Sequence, residues 1–80
     1  MAKIHWPGYI ENLLNELEPQ EVSLIFEKTR ILRQFPRLYS LRSTGRFRRH
    51  RRVLAGRWMV YYKAVDDAVY IRGLWASQIT

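Results

Sequence analysis

The chain has 80 residues and a net charge of +7, from 14 Lys and Arg residues against 7 Asp and Glu. A chain of this length makes one small domain with a thin core, so we predict a single domain over residues 1–80. The absence of cysteine excludes a disulfide-stapled secreted domain, a cysteine zinc site and thiol chemistry. The longest apolar run, from Trp58 to Tyr62, is far too short to cross a bilayer, and the first residues carry no signal-peptide core. We therefore expect a soluble cytoplasmic protein without a membrane partner.

The charge is divided unevenly along the chain. Residues 1–30 carry a net charge of −2, whereas residues 31–80 carry +9, almost all of it from arginine. The arginine side chain offers a planar fork of donors that matches phosphate and stacks on bases. Five of the seven residues from Arg46 to Arg52 are arginine, and such runs repel themselves. We expect a polyanionic partner, namely RNA, DNA or an acidic protein segment; a solvated basic face without a partner is the alternative.

The first half of the chain has the pattern of a short strand followed by two helices. Residues 3–6 are typical of a strand that ends at Pro7 and Gly8. Pro19 cannot continue a helix but suits the first turn of a new one, and Pro36 ends that second helix. The apolar positions recur at helical spacing, which predicts a helix hairpin. They are Ile10, Leu13, Leu14 and Leu17 in the first helix, and Val22, Ile25, Phe26, Thr29, Leu32 and Phe35 in the second.

The second half changes to the composition of strands. We predict strands over residues 46–54, 57–65 and 68–75, the second of which is rich in aromatic and branched side chains. Turns are predicted at Ala55 and Gly56 and at Asp66 and Asp67. The expected fold class is α+β, with an N-terminal helix hairpin packed on an antiparallel β-sheet in the order β-α-α-β-β-β.

The hairpin at Asp66 and Asp67 decides which residues share a face. If these two residues form the loop, Val65 pairs with Ala68, and the two faces follow from alternation. One face is then apolar and should pack on the helices: Trp58, Val60, Tyr62 and Ala64 with Val69, Ile71, Gly73 and Trp75. The other face stays open and is aromatic and basic: Arg57, Met59, Tyr61 and Lys63 with Tyr70, Arg72 and Leu74.

The arginine-rich strand can join this sheet in two registers. A two-residue loop at Ala55 and Gly56 places Arg48, His50 and Arg52 on the open face, and we favour it over a three-residue loop, which would place Arg49 and Arg51 there. Basic strands with interleaved aromatics suit single-stranded nucleic acid, because arginines neutralise phosphates and aromatic rings stack on bases. The candidates for nucleic-acid binding are Arg46, Arg49, Arg51, Arg57, Tyr61 and Arg72.

The same face has groups that suit RNA cleavage without a metal ion. In that reaction the 2′-hydroxyl attacks the adjacent phosphorus, a base takes its proton and cations stabilise the phosphorane. The imidazole of His50 can serve as the base or the acid, with Arg48 and Arg52 holding the charge. Contact with phosphate or base without proton transfer is the alternative role for His50, since no second acid is identifiable. No metal or cofactor is expected, because His5 and His50 are the only histidines and zinc needs three or four clustered ligands.

Several segments resemble the RelE/ParE toxin superfamily of type II toxin–antitoxin modules. They are residues 4–6, the turn around Pro19, residues 47–62 and residues 66–75. The resemblance implies a growth-inhibiting toxin that a cognate antitoxin protein holds silent. RelE-like members cut mRNA in the ribosomal A site, whereas ParE-like members inhibit DNA gyrase. The short helices and the arginine-rich second strand favour the RelE-like branch.

Two positions depart from the pattern of the nuclease branch. Met59 stands where those members commonly have an arginine, and Gln78 stands nearest to where they have another, with no Tyr or His after it. We predict a toxin that acts by ribosome-dependent mRNA cleavage on its basic sheet face, as a metal-independent endoribonuclease. A ParE-like, non-enzymatic gyrase inhibitor and a catalytically inactive RNA-binding relative are the alternatives.

Overall fold

The computed structural model describes residues 1–77. Along these residues the elements follow the predicted order β-α-α-β-β-β, with one short 3-10 helix added after the second α-helix. No helix in this part of the chain is long and apolar enough to span a membrane. The elements are β1 (Lys3–His5), α1 (Gly8–Leu14), α2 (Pro19–Arg30), the 3-10 helix (Ile31–Arg33), β2 (Arg51–Ala55), β3 (Trp58–Val65) and β4 (Ala68–Ala76).

The four strands form one mixed sheet in the order β1-β4-β3-β2. The β2–β3 and β3–β4 pairs are antiparallel, as predicted, but β1 runs parallel to β4, with Ile4 beside Val69. The prediction of an antiparallel sheet was therefore wrong for β1. A parallel neighbour requires a long connection, and here everything between β1 and β4, including both helices, supplies it.

α2 begins at Pro19 as predicted, but the prediction that Pro36 ends it was wrong, and its buried side is narrower than predicted. α2 begins at Pro19 and ends at Arg30, and the 3-10 helix follows it. Ile25, Thr29 and Leu32 are buried, whereas Phe26 and Phe35 are 45% and 55% exposed. The Thr29 hydroxyl is satisfied inside the helix because it donates to the Ile25 carbonyl at 2.8 Å. Only one narrow stripe of α2 therefore enters the core.

The core lies between the two helices and one face of the sheet, which we call the helix face. α2 contacts β2, and α1 contacts β4. Burial of apolar side chains here is the main stabilising contribution, at roughly 25 cal/mol per Å². The largest fully buried side chains are Tyr62, Ile10, Ile25, Leu32, Ile71, Val60 and Val69.

The β3–β4 hairpin has the predicted register at its loop and loses it further along. Val65 pairs with Ala68 across the loop, as expected. The register then shifts by one between Tyr61 and Tyr62, so that Tyr61 pairs with Gly73. The extra residue is a β-bulge in β4, and a shift of one residue moves every later side chain to the opposite face.

The bulge exchanges the faces of the last residues of β4. Leu74 is buried at 7% exposure on the helix face, whereas Trp75 is 46% exposed on the other side. The predictions that Gly73 and Trp75 pack on the helices and that Leu74 faces outward were therefore wrong. α1 supports the bulge, because the Tyr9 hydroxyl donates to the Arg72 carbonyl at 2.7 Å.

The β2–β3 turn lies one residue later than predicted. Ala55 pairs with Trp58, so Gly56 and Arg57 form the loop. Gly56 has φ +62°, a left-handed conformation that favours glycine, and a Cβ there would also displace the Leu24 Cδ2, 2.8 Å away.

The start of β2 also differs from the prediction. The strand begins at Arg51, and the predicted strand over residues 46–54 was therefore too long at its beginning. Arg52 pairs with Tyr61 and lies outward, as in the favoured register. Arg48 and His50 precede the strand, so their predicted places within it were wrong.

Candidate nucleic-acid interface

The face of the sheet opposite the helices, which we call the open face, is aromatic and basic. His5 on β1 stacks on Tyr70 with ring centroids 4.7 Å apart and planes 10° apart. Tyr70 pairs in turn with Lys63 on β3, so aromatic rings and cations alternate across the strands. Together the strands place these side chains on the open face: His5, Arg52, Met59, Tyr61, Lys63, Tyr70 and Trp75.

Residues 42–50, which we call the arginine loop, fold across part of the open face. The loop is closed at its base, where the Arg42 N–H donates to the His50 carbonyl and the Arg49 N–H donates to the Arg42 carbonyl, each at 2.9 Å. Gly45 has φ +87° and Arg49 has φ +66°. The left-handed conformation of a residue with a Cβ costs about 1–2 kcal/mol. These two turns are the physical reason that the arginine run does not continue as a strand.

Phe47 anchors the arginine loop to the sheet. Its ring is stacked on Tyr61, with ring centroids 4.0 Å apart and planes 10° apart. Its centroid lies 6.2 Å from that of Trp75, and these two rings form a T-shaped pair. The ring stands directly above Gly73, where a Cβ would lie 2.5 Å from the Phe47 Cζ. We call this space between Tyr61 and Trp75, floored by Gly73, the glycine slot. Only a residue without a side chain leaves room for it.

Two arginines of the loop lie against the aromatic walls of the slot. The Arg42 guanidinium is 5.8 Å from the centroid of Tyr61, and the Arg46 guanidinium is 5.1 Å from that of Trp75. Arg42, Arg46, Phe47, Tyr61 and Trp75 line a cavity of about 310 Å³. Within residues 1–77 the Arg42 Nε is buried and has no hydrogen-bond partner. A buried donor without a partner is costly, so this nitrogen favours an incoming acceptor such as phosphate.

The three residues predicted to be catalytic lie in or beside the arginine loop. Arg48 and Arg52 are exposed, and His50 is half-buried, with its ring centroid 5.4 Å from that of Phe47 in a T-shaped arrangement. The His50 Nδ1 lies 3.1 Å from the Arg48 carbonyl oxygen. Because a carbonyl only accepts, this contact requires the proton on Nδ1 and leaves Nε2 of the neutral ring free to accept a proton.

The predicted nucleic-acid-binding residues divide between two sides of the sheet. Tyr61 and Arg46 are on the open face, Arg49 is exposed in the arginine loop, and Arg72 is the exposed extra residue of the bulge. Arg51 pairs with Tyr62 and turns toward the helix face.

The Arg51 and Arg57 guanidinium groups already have partners within the fold. Arg51 donates to the Tyr39 carbonyl at 2.5 Å, and the Arg57 Nε donates to Glu21 at 2.6 Å. The prediction that Arg57 lies on the open face was wrong, because the shifted turn directs it toward α2.

Glu21 joins the start of α2 to the β2–β3 turn. Its Oε2 accepts from the Arg57 Nε and from the Trp58 Nε1 at 2.7 Å, and its Oε1 accepts from the Glu18 N–H at 3.3 Å. The hydrogen bonds from Arg57 and Trp58 lower the pKa of the Glu21 carboxyl to about 2. The same ion pair raises the pKa of Arg57. These two residues therefore have a structural role at the edge of the helix face.

Sequence reasoning missed the centre of the interface. It did not include Arg42 or Phe47 among the site residues, and it placed Gly73 and Trp75 in the core. One signal was present: a glycine inside a strand often marks a bulge or the close approach of another group, and Gly73 marks both. The partner of that glycine is 26 residues away along the chain, and no local pattern names it.

No metal cluster of three or more His, Asp or Glu side chains lies within residues 1–77. Gln78, at which this sequence departs from the pattern of the nuclease branch, is outside the described residues. Comparison with protein-family models, curated proteins and solved structures finds no match to this chain. The RelE/ParE resemblance therefore stays a prediction from the sequence.

Proposed function

We propose that the chain is the toxin of a type II toxin–antitoxin pair and that it binds and cleaves mRNA on the ribosome. The observation that carries this proposal is the cluster of Arg42 and Arg46 around the stacked rings of Phe47 and Tyr61. The element order β-α-α-β-β-β and the helices marked by Pro19 also support it, since the RelE-like resemblance implies both.

The chemistry of the open face suits single-stranded RNA. Its arginines can neutralise successive phosphates, which gives affinity that falls as salt rises. Its aromatic rings can stack on bases, at about 1–3 kcal/mol per base. The bases of double-stranded RNA are stacked on one another and are not available to such rings. The open face therefore favours single-stranded RNA.

Cleavage would use His50 with Arg48 and Arg52. The Nε2 of neutral His50 takes the proton of a 2′-hydroxyl, whose oxygen forms a bond to the adjacent phosphorus. The bond from phosphorus to the 5′-oxygen breaks, that oxygen takes a proton from solvent, and the products are a 2′,3′-cyclic phosphate and a 5′-hydroxyl. Arg48 and Arg52 stabilise the charge of the phosphorane between these steps.

The test is a cell-free translation reaction with purified protein, followed by primer extension on the template mRNA. Wild-type protein should produce cuts that depend on the ribosome. His50→Ala should reduce cutting by about 100-fold or more, and the paired change Arg48→Ala with Arg52→Ala should do the same. Lys28→Ala is the matched control, because it removes one positive charge from α2 on the other side of the sheet.

The outcomes separate the alternatives. Intact mRNA with normal translation would overturn the nuclease proposal. Inhibition of DNA supercoiling by wild-type protein in a parallel gyrase assay would then favour the ParE-like alternative. RNA binding without cutting would favour a catalytically inactive relative.

The proposed partner is a cognate antitoxin protein. A groove of about 500 Å³ between the helices is lined by Trp6, Leu14, Leu17, Val22 and Phe26 among others, and it suits an apolar segment. An acidic segment would suit the open face by charge. Co-expression of the neighbouring reading frame should relieve growth inhibition if the pairing holds.

A further inference from the structure

Phe47 fills a space that has the dimensions of a base-stacking site. The ring is parallel to Tyr61 at a centroid distance of 4.0 Å, which is the arrangement that a nucleobase adopts on an aromatic side chain. Gly73 forms a floor without a side chain, and Trp75 closes one end. A flat ring of any kind fits here, whether it comes from the chain or from a ligand.

We propose that the glycine slot is a nucleobase-binding subsite, which Phe47 occupies in the free protein. A base of single-stranded RNA takes the place of Phe47, and the arginine loop moves aside to admit it. This inference rests on the proposed function, because it names one subsite of the RNA path. It differs from that proposal in assigning the site to Gly73 and Tyr61 and in making Phe47 a competitor of the RNA.

The surroundings of the slot suit a nucleotide better than they suit phenylalanine. The buried Arg42 Nε lacks a partner within residues 1–77, and a phosphate or a base carbonyl would supply one. Arg46 lies over Trp75 at the end of the slot, where it can reach a second phosphate. Phenylalanine satisfies neither guanidinium, because it has no acceptor atom.

The arginine loop is held weakly enough for a bound base to replace Phe47 in the glycine slot. Arg46, Arg48 and Arg49 are exposed, and their like charges repel one another. Arg49 is held in the left-handed region, which stores strain that an open loop can release.

Opening the slot would also release His50. Its ring forms a T-shaped pair with Phe47, so the movement that admits a base changes the surroundings of the proposed catalytic histidine. The base site and the cleavage chemistry would thereby be linked through one side chain.

The experiment measures binding of a short fluorescent oligoadenylate by anisotropy at one fixed salt concentration. Phe47→Ala empties the slot and should tighten binding by about two- to threefold, which is the lower end of what an aromatic pair contributes. Phe47→Ala combined with Gly73→Ala raises the floor of the slot and should abolish that gain. An abasic strand of equal length should bind wild-type protein and Phe47→Ala equally. Circular dichroism checks that each variant is folded.

A second readout does not require a substitution at Gly73. Oligoadenylate should quench the fluorescence of Trp75 in Phe47→Ala, measured as the difference from Phe47→Ala combined with Trp75→Phe. The abasic strand should leave that fluorescence unchanged.

The failures are distinguishable. If no variant binds either strand, the proposed RNA function is overturned, and the subsite with it. If wild-type protein binds oligoadenylate and Phe47→Ala binds it equally or more weakly, the RNA function stands and the displacement of Phe47 is overturned.

Discussion

The two faces of this sheet are covered by different parts of the same chain and by different forces. On the helix face, α1 and α2 bury a continuous set of apolar side chains that includes Ile25 and Val60. On the open face, the arginine loop is anchored by the single ring of Phe47. Burial of apolar area makes the first covering permanent, whereas the second rests on one ring, two backbone hydrogen bonds and two guanidinium–ring contacts among charges that repel. The difference separates the part of the molecule that maintains the fold from the part that can exchange with a ligand.

Each face also contains a buried polar atom without a partner within residues 1–77. They are the Tyr62 hydroxyl on the helix face and the Arg42 Nε on the open face. Burial raises the pKa of Tyr62 to about 12, which keeps the phenol neutral. Tyr62 is 0% exposed, so an acceptor for this hydroxyl can come only from within the fold, such as the Tyr39 carbonyl, which opposes the rise in pKa. Arg42 is half-buried at the base of the arginine loop, and an acceptor for its Nε can arrive from outside.

The largest effect is expected from the helix face. Ile25→Ala should lower the free energy of unfolding by about 3 kcal/mol, because it opens a cavity in a core that cannot collapse around it. Urea denaturation followed by circular dichroism measures this loss. Ser23→Ala on the exposed side of α2 is the matched control and should change little. If the free energy of unfolding falls by less than about 1 kcal/mol, the helices pack on the sheet as loosely as the arginine loop does.

A smaller effect is expected where Glu21 joins α2 to the β2–β3 turn. The folded-state pKa of Glu21 is lowered from 4.5 to about 2, so its stabilising contribution is complete above the unfolded value. Glu21→Gln should lower the melting temperature at neutral pH, and its deficit should shrink as the pH falls from 4.5 toward about 2. Thermal melts across that range test the window, with Glu27→Gln on the same helix as control. A deficit that is independent of pH would contradict the ion pair.

Removing the unpartnered hydroxyl should stabilise the protein. Tyr62→Phe keeps the ring and deletes the orphaned group, which should raise the free energy of unfolding by about 1 kcal/mol. Urea denaturation of the variant measures the change. Tyr70→Phe, at an exposed site on the open face, is the control. Destabilisation of similar size would mean that the hydroxyl donates to a nearby carbonyl, such as that of Tyr39.

The smallest effect on global stability is expected at Phe47, although its ring is larger than the side chain of Ile25. Phe47→Ala should lower the free energy of unfolding by about 0.5 kcal/mol, because the ring covers the open face without supporting the core. Hydrogen exchange should show faster exchange of the Arg42 and Arg49 amides, with β3 unchanged. A loss as large as that of Ile25→Ala would make the arginine loop part of the permanent fold.

The sequence predicted the elements where the signal was local. Pro19 marked the start of α2, and Asp66 with Asp67 marked the last hairpin, whose register is as expected at Val65 and Ala68. The open face was predicted with Tyr61 and Arg52 on it, and both lie there. These successes share one cause, since alternation and turn residues act over a few neighbouring positions.

The errors occurred where distant residues decide the conformation. The exchange of Leu74 and Trp75 follows from one extra residue at the bulge, which Tyr9 of α1 supports through the Arg72 carbonyl. Arg57 left the open face because Glu21, 36 residues earlier, binds it. Neither event has a signal in the local pattern of hydrophobicity.

The amino-acid sequence by itself determined an α+β chain that begins with two short helices. It also determined that the second half consists of hairpins and carries most of the arginine. Only the tertiary structure decided that β1 lies parallel to β4 and that Phe47 lies above Gly73. Periodicity, prolines and charge are properties of neighbouring residues, and they can be read along the chain. A slot between two strands exists only when the sheet has formed and a residue from a distant loop has been brought onto it.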